Sequence, residues 1–284
     1  MEESFILQIN NEYDRLKKVL MASVETFVLH KPINKTQKYY YENDPPIIEK
    51  LIIQQEAFVE VLKKHNVDIV WAPKRFDCTN QINTRDVAFV IGNTFVISPM
   101  KKAERQNEHL ALEEIVGSFD KTDTVFRPHF GIIEGGDIIL DNGRIFVGIS
   151  ERTNWAGYDW LVNNYSKGYE IIPIELNDTF LHLDVVFNLL SGGYALIYKE
   201  GIRIESLERI SHLFNIIEVD SKEQDNLATN VFALSPDVLV CDNRNIRTNA
   251  KLKYIGKKII ELNFGEITKI GGSFRCGTCP LVRE

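Results

Sequence analysis

The chain has 284 residues, 44% hydrophobic and 26% charged, with a net charge of −7, the balance of a globular protein. An acidic chain is a poor partner for nucleic acid or an anionic membrane, both of which ask for a basic face. No apolar run is long enough to cross a bilayer, and residues 1–4 (M-E-E-S) lack the basic start and apolar run of a signal peptide, so cytoplasmic residence is expected.

From the N-terminus onward the chain repeats one pattern. Two strand-like apolar runs are joined by a turn, then come an amphipathic helical stretch and a third short apolar run. Residues 18–28 read as the first strand pair, 47–65 as its helix and 67–72 as its last strand. In that helix Ile48, Leu51, Ile52, Phe58, Val61 and Leu62 recur at helical spacing. The second unit pairs strands over 86–100 around Gly92-Asn93, with a helix at 101–116 and a strand at 124–126. The third, 137–150, turns at Asp141-Asn142-Gly143, the strongest hairpin signal in the chain, and continues through 153–164 and 169–173. The fourth pairs 184–198 around Ser191-Gly192-Gly193, followed by 206–213 and 215–219. The fifth pairs 230–242 around Ser235-Pro236-Asp237, followed by 245–254 and 258–262.

With Val19, Asp86, Asp137, Asp184 and Asn230 as unit starts, the steps are 67, 51, 47 and 46 residues. A period of this size predicts a radial array of supersecondary units. A layered α/β fold would place single strands, not hairpins, between its helices. The expectation is a closed ring of five ββαβ units, with residues 1–284 as one domain and no linker.

Cys78, Cys241, Cys276 and Cys279 are expected as free thiols in a reducing compartment. Cys276 and Cys279 form a C-x-x-C, but no second one supplies the rest of a zinc site. A thioredoxin-like pair would open a helix near the start of a βαβ unit instead of ending the chain. A functional Cys276 beside a structural Cys279 is therefore favoured. Gly271 and Gly272 let the backbone before it approach closely, and the Arg275 cation is expected to favour the thiolate.

In a ring, equivalent positions of different units approach one another. The unit starts carry Asp86, Glu134, His182 with Asp184, and Asn230, while Cys276 follows the last unit and can close the ring at the same end. Singly, each has an ordinary reading: an Asp before a strand as a turn residue, E-G-G as a loop, His182 and Asp184 as a surface pair on one strand face. Together, at matched register, they define a chemistry. Carboxylates suit a planar multi-donor cation such as guanidinium. A thiolate can attack its central carbon, an imidazole can protonate the departing amine and then deprotonate water, and the adduct splits one hard step into two.

T-R-D at 84–86, E-G-G-D at 134–137, H-L-D at 182–184 and G-G-S-F-R-C-G-T-C-P-L at 271–281 resemble the guanidino-group-modifying superfamily, which includes arginine deiminases, dimethylarginine dimethylaminohydrolases and amidinotransferases. The resemblance covers essentially the whole chain and implies a fivefold pseudosymmetric α/β propeller working without metal or cofactor. It implies Cys276 as nucleophile, His182 as general acid and base, and Glu134 as the carboxylate that binds guanidinium and orients the imidazole. Asp86 and Asp184 resemble the aspartates that grip the guanidinium, while Asn80 and Arg152 resemble positions that contact the amino-acid end of the substrate. The chain differs from the deiminase pattern at Gly271, where an arginine receives the substrate carboxylate.

The function these readings predict is a cysteine-dependent hydrolase of the guanidino group of arginine or an arginine derivative, acting on a small molecule. The alternatives are amidino transfer to an acceptor amine and, from a different class, a non-catalytic propeller that binds a partner. Association into homo-oligomers is left open.

Overall fold

The computed structural model describes residues 5–78, 80–120 and 124–284; the acidic opening at residues 1–4 lies outside them. Among the described residues the strands form five three-stranded sheets, each one blade of a fivefold α/β propeller. The first blade holds β1 (Leu16–Met21) and β2 (Asp68–Trp71), joined through α1 (Lys35–Asn43) and α2 (Ile48–Lys64). The second follows the short α3 (Thr84–Val87) with β3 (Ala88–Ile91), β4 (Thr94–Ile97), α4 (Leu110–Val116) and β5 (Thr124–Phe126). The third holds β6 (Ile138–Asp141), β7 (Arg144–Ile149), α5 (Trp155–Tyr165) and β8 (Glu170–Glu175). The fourth holds β9 (Phe187–Leu190), β10 (Tyr194–Ile197), α6 (Ile204–Ser211) and β11 (Asn215–Glu218). After α7 (Ser221–Gln224), the fifth comprises β12 (Phe232–Ser235), β13 (Val238–Asp242), α8 (Ile246–Tyr254) and β14 (Lys258–Leu262). The chain ends through α9 (Gly265–Lys269) and β15 (Cys279–Arg283).

Each blade has a middle strand antiparallel to one neighbour and parallel to the other. A parallel partner demands a crossover, so a helix always separates the second and third strands. At Asn142 and Gly143 the φ angles are 41° and 90°, the left-handed pair that an Asn-Gly hairpin turn requires. The β3 and β4 runs (AFVI, TFVI) are buried along their whole length, because both sheet faces are covered.

The core lies between blades. One cluster joins the third and fourth blades through Phe146 and Phe187, another the fourth and fifth through Leu196 and Leu239. Phe58 on α2 packs edge-on against Phe232, Phe264 and Phe274, so the first helix with a buried stripe clamps the fifth blade and the loop leading to Cys276. Within that stripe Leu51, Phe58 and Leu62 are buried, while Ile48 faces solvent.

Two expectations are corrected. Residues 18–28 are not a hairpin: Ser23 caps a 3₁₀ turn over Val24–Thr26 and the chain leaves the sheet. The antiparallel partner of β1 is β15, from the other end of the chain, with Leu20 opposite Cys279. The terminal strand thus closes the ring. Residues 101–116 form only a short 3₁₀ turn, Ala103–Arg105, and α4, because Arg105 and Glu108 are drawn into the interior and the backbone between follows them.

Candidate active site

The topology brings the expected residues together. β15, β3, β6, β9 and β12 occupy the same place in their five blades, and each follows directly on one piece of the site. Asp86 precedes β3, Glu134 precedes β6, His182 and Asp184 precede β9, Asn230 precedes β12 and Cys276 precedes β15. Five strands entering their blades at the same end deliver their leading loops to one place.

Local packing fixes each side chain. In E-G-G-D, a Cβ on Gly135 would lie 2.1 Å from the Arg85 carbonyl, and one on Gly136 would lie 2.8 Å from His182 Cγ and 2.9 Å from Asp86 Oδ1. These glycines let three blades meet. Asp137 accepts from the Leu183 amide (2.8 Å) and from the Ser150 hydroxyl (2.7 Å), which turns the chain immediately after His182. His182 and Asp184 therefore do not share a strand face as expected; His182 caps a 3₁₀ turn, Leu183–Val185, and Asp184 lies within it.

Two walls result. On one, His182 Nε2 lies 2.8 Å from Glu134 Oε2 and Nδ1 lies 3.6 Å from Asp86 Oδ1. Glu134 also accepts from the Lys101 amide (2.9 Å) and lies 3.5 Å from Arg152. On the other wall, Cys276 Sγ lies 3.6 Å from Asp184 Oδ2, and Asn230 Nδ2 donates to it at 3.2 Å. The sulfur-bearing residue is 3% exposed and His182 5% exposed, so bulk water is largely shut out.

The aspartates are held in parallel fashion. Arg105 donates to Asp86 Oδ2 at 2.6 Å and is backed by Glu108 (2.8 Å); Arg275 donates to Asp184 Oδ2 at 2.9 Å and is backed by Glu12 (3.1 Å). The other oxygen of each, Asp86 Oδ1 and Asp184 Oδ1, is buried without a hydrogen-bond partner. Unsatisfied buried carboxylate oxygens are costly, and Asp86 Oδ1 has only its 3.6 Å approach to His182 Nδ1.

The electrostatics follow from this layout. Burial works against a charged His182, but Asp86, the Glu134 hydrogen bond and Asp137 outweigh it and raise its pKa to about 9. Burial likewise opposes a charged Glu134, yet the His182 hydrogen bond and the Arg105 and Arg152 charges hold it down at about 2. For Cys276 burial, Asp184 and Asp86 all push the thiol well above its ordinary value. The expectation that Arg275 favours the thiolate is thereby corrected: its guanidinium is spent on Glu12, Asp184 and the Ile138 carbonyl, and its pull on the sulfur is outweighed. The resting pair is a neutral thiol and an imidazolium.

Asn80 and Arg152 meet the segment around the start of α1. Asn80 Oδ1 accepts from Gln37 (2.7 Å), its Nδ2 lies 3.1 Å from His30 Nε2, and Arg152 Nη2 donates to the Ile33 carbonyl at 3.3 Å. Gln37 also donates to the Ile270 carbonyl (2.9 Å), so this segment roofs the glycine loop. Outside the roof lies a cavity of about 860 Å³, bounded by Lys35, Tyr39, Phe180, Leu181 and Gly271. Asp86, Glu134 and His182 present ligand atoms within 4.8 Å of one another, with both imidazole nitrogens turned to the two carboxylates. Arg105, Glu108 and Glu12 escaped sequence reasoning, since buried charges in polar runs carry no periodic signal; Asn230 had its register alone.

A propeller of five such blades around a buried Cys, a His and three carboxylates defines the guanidino-group-modifying superfamily. Residues 24–283 match the family model described as N,N dimethylarginine dimethylhydrolase, eukaryotic, and the chain belongs to that family. It is 37% identical over 272 residues to the uncharacterized protein YkgA of Bacillus subtilis (strain 168), covering 96% of this chain and 94% of that one. It is 28% identical over 248 residues to the arginine deiminase of Levilactobacillus brevis, covering 71% of this chain but 60% of the deiminase. Two solved structures share the fold: SxtG, an amidinotransferase from Microseira wollei (TM-score 0.85, 21% identity, 98% of this chain and 97% of that one), and the N-terminal domain of ArgZ, a cyanobacterial arginine dihydrolase (TM-score 0.84, 22% identity, 95% and 98%).

Proposed function

We propose that the protein hydrolyses a C–N bond in the guanidino group of arginine or an arginine derivative, through a covalent adduct on Cys276. The observation that carries this reading is the pair of buried oxygens without a hydrogen-bond partner, Asp86 Oδ1 and Asp184 Oδ1, on the aspartates that neighbour His182 and Cys276. A guanidinium with unsubstituted terminal nitrogens offers donors to both. Methyl groups on one nitrogen would remove donors and set carbon against a buried charge, so the plain guanidine is favoured over the dimethylated one.

Burial and the field of Asp86 and Asp184 keep the thiol neutral at rest; the bound cation offsets the aspartates' field, and Cys276 gives up its proton to solvent as substrate binds. The thiolate attacks the central carbon. His182, an imidazolium at neutral pH, gives its proton to the departing amine as the C–N bond breaks. Water then adds to the same carbon as His182 takes one of its protons, the C–S bond breaks as the hydroxyl so formed releases the other to solvent, and a neutral ureido product leaves with the thiolate restored. Glu134 and the two aspartates stabilise positive charge on the adduct. Asn80 and Arg152 are assigned to the far end of the substrate.

The test is product analysis with a panel of guanidino compounds. Ammonia with a ureido product from arginine supports the reading. Dimethylamine from dimethylarginine would move the substrate to the methylated class, and turnover that depends on an added amine would make the enzyme an amidinotransferase. Turnover of none of these would sink the proposal.

A further inference from the structure

The sulfur of Cys276 faces negative charge. Asp184 Oδ2 lies 3.6 Å away, Asp86 adds to the same field, and Arg275 is committed to Asp184 and Glu12. A thiolate formed here needs hydrogen-bond donors that bring no charge. A lysine in this place would repel a guanidinium, and a carboxylate would repel the sulfur. The fifth blade supplies an amide. Asn230 is 1% exposed; its Nδ2 donates to Sγ at 3.2 Å and also lies 3.3 Å from the Asp184 carbonyl. Its Oδ1 accepts from the amides of Arg275 (3.0 Å) and Cys276 (3.1 Å). Both polar atoms of this side chain thus engage the nucleophile or the loop that bears it, Nδ2 reaching the Asp184 carbonyl as well. The Ser273 backbone also donates to the sulfur and lowers the thiol's pKa.

We propose that Asn230 is a catalytic residue, its Nδ2 stabilising the Cys276 thiolate as the adduct forms and again as it breaks down, while Oδ1 fixes the sulfur's position. The proposal rests on the reading of Cys276 as the nucleophile. A hydrogen bond to a charged partner, lost from a buried site, predicts a rate decrease of about 10- to 100-fold. The loss falls on kcat, because the amide touches the enzyme's own sulfur and not the substrate's far end.

Two substitutions in the full chain separate the roles. Asn230→Asp keeps an oxygen for the two backbone amides but removes the donor and adds charge; Asn230→Leu removes donor and acceptor without adding charge. Both should lower kcat by about 10- to 100-fold with KM little changed, and both should move the pH midpoint of Cys276 alkylation by iodoacetamide upward. Wild-type kcat and alkylation midpoint in either variant overturn the proposal: retention in Asn230→Asp means the side chain only holds the loop, and retention in Asn230→Leu means only added charge matters. If Asn230→Leu does not fold, Asn230→Ala takes its place under the same criteria. The alkylation arm needs no turnover, so it judges Asn230 even if no guanidino compound reacts, an outcome that would instead overturn the proposed function.

Discussion

His182 and Cys276 share the field of Asp86, and each answers it by holding a proton. For the imidazole this overcomes burial and leaves a charged acid, with a pKa of about 9; for the thiol it adds to burial and leaves an uncharged one. One set of carboxylates therefore arms the acid and disarms the nucleophile. On the proposed reading such a chamber is at rest until a cation enters, and the difference between its walls makes substrate charge part of the activation.

The largest effect should come from removing the nucleophile. Cys276→Ser is expected to lower turnover by about 10⁴-fold or more with the fold intact, measured as ammonia release. Neutralising the field comes next: Asp86→Asn and Asp184→Asn should each cut kcat/KM by about 10²- to 10³-fold through lost guanidinium binding. Here the walls should part company. Asp184→Asn, whose field reaches the sulfur directly, should move substrate-free alkylation of Cys276 to lower pH, whereas only Asp86→Asn should also move the His182 titration down. Equal shifts on both walls from both variants would erase the comparison. Gly136→Ala should push the imidazole and Asp86 apart, with a Cβ only 2.8 Å from His182 Cγ, and lower kcat by about 10- to 100-fold together with a fall in melting temperature.

The pH dependence of stability is the smallest effect. The folded pKa of His182, about 9, lies above its ordinary 6.5. Its contribution is fully present below pH 6.5 and is lost as pH rises through about 9. Melting temperatures of wild type and His182→Asn should accordingly converge across that window. A gap that widens with rising pH would mean the imidazole is neutral in the folded state.

Much of this was legible in the sequence. Four of the five hairpins, and the register that gathers Asp86, Glu134, His182, Asp184 and Cys276, follow from turn residues and apolar periodicity. The first blade was misread because its missing strand comes from residues 279–283, and no local pattern connects chain ends. Arg275 was misread because sequence adjacency says nothing about direction: its guanidinium points away from its neighbour's sulfur and into Glu12, 263 residues distant.

By itself the sequence determined the repeating unit and the chemical inventory of its leading loops, since backbone propensity, turn chemistry and periodicity act over a few residues. Only the tertiary structure decided which charges cancel. Arg105 and Arg275 are paired with the aspartates and glutamates beside them, Asp86 Oδ1 and Asp184 Oδ1 are left without a hydrogen bond, and Asn230 is set against the sulfur. The reason is physical: charge interactions depend on distance and on exclusion of water, and both are settled only when five blades close around one chamber.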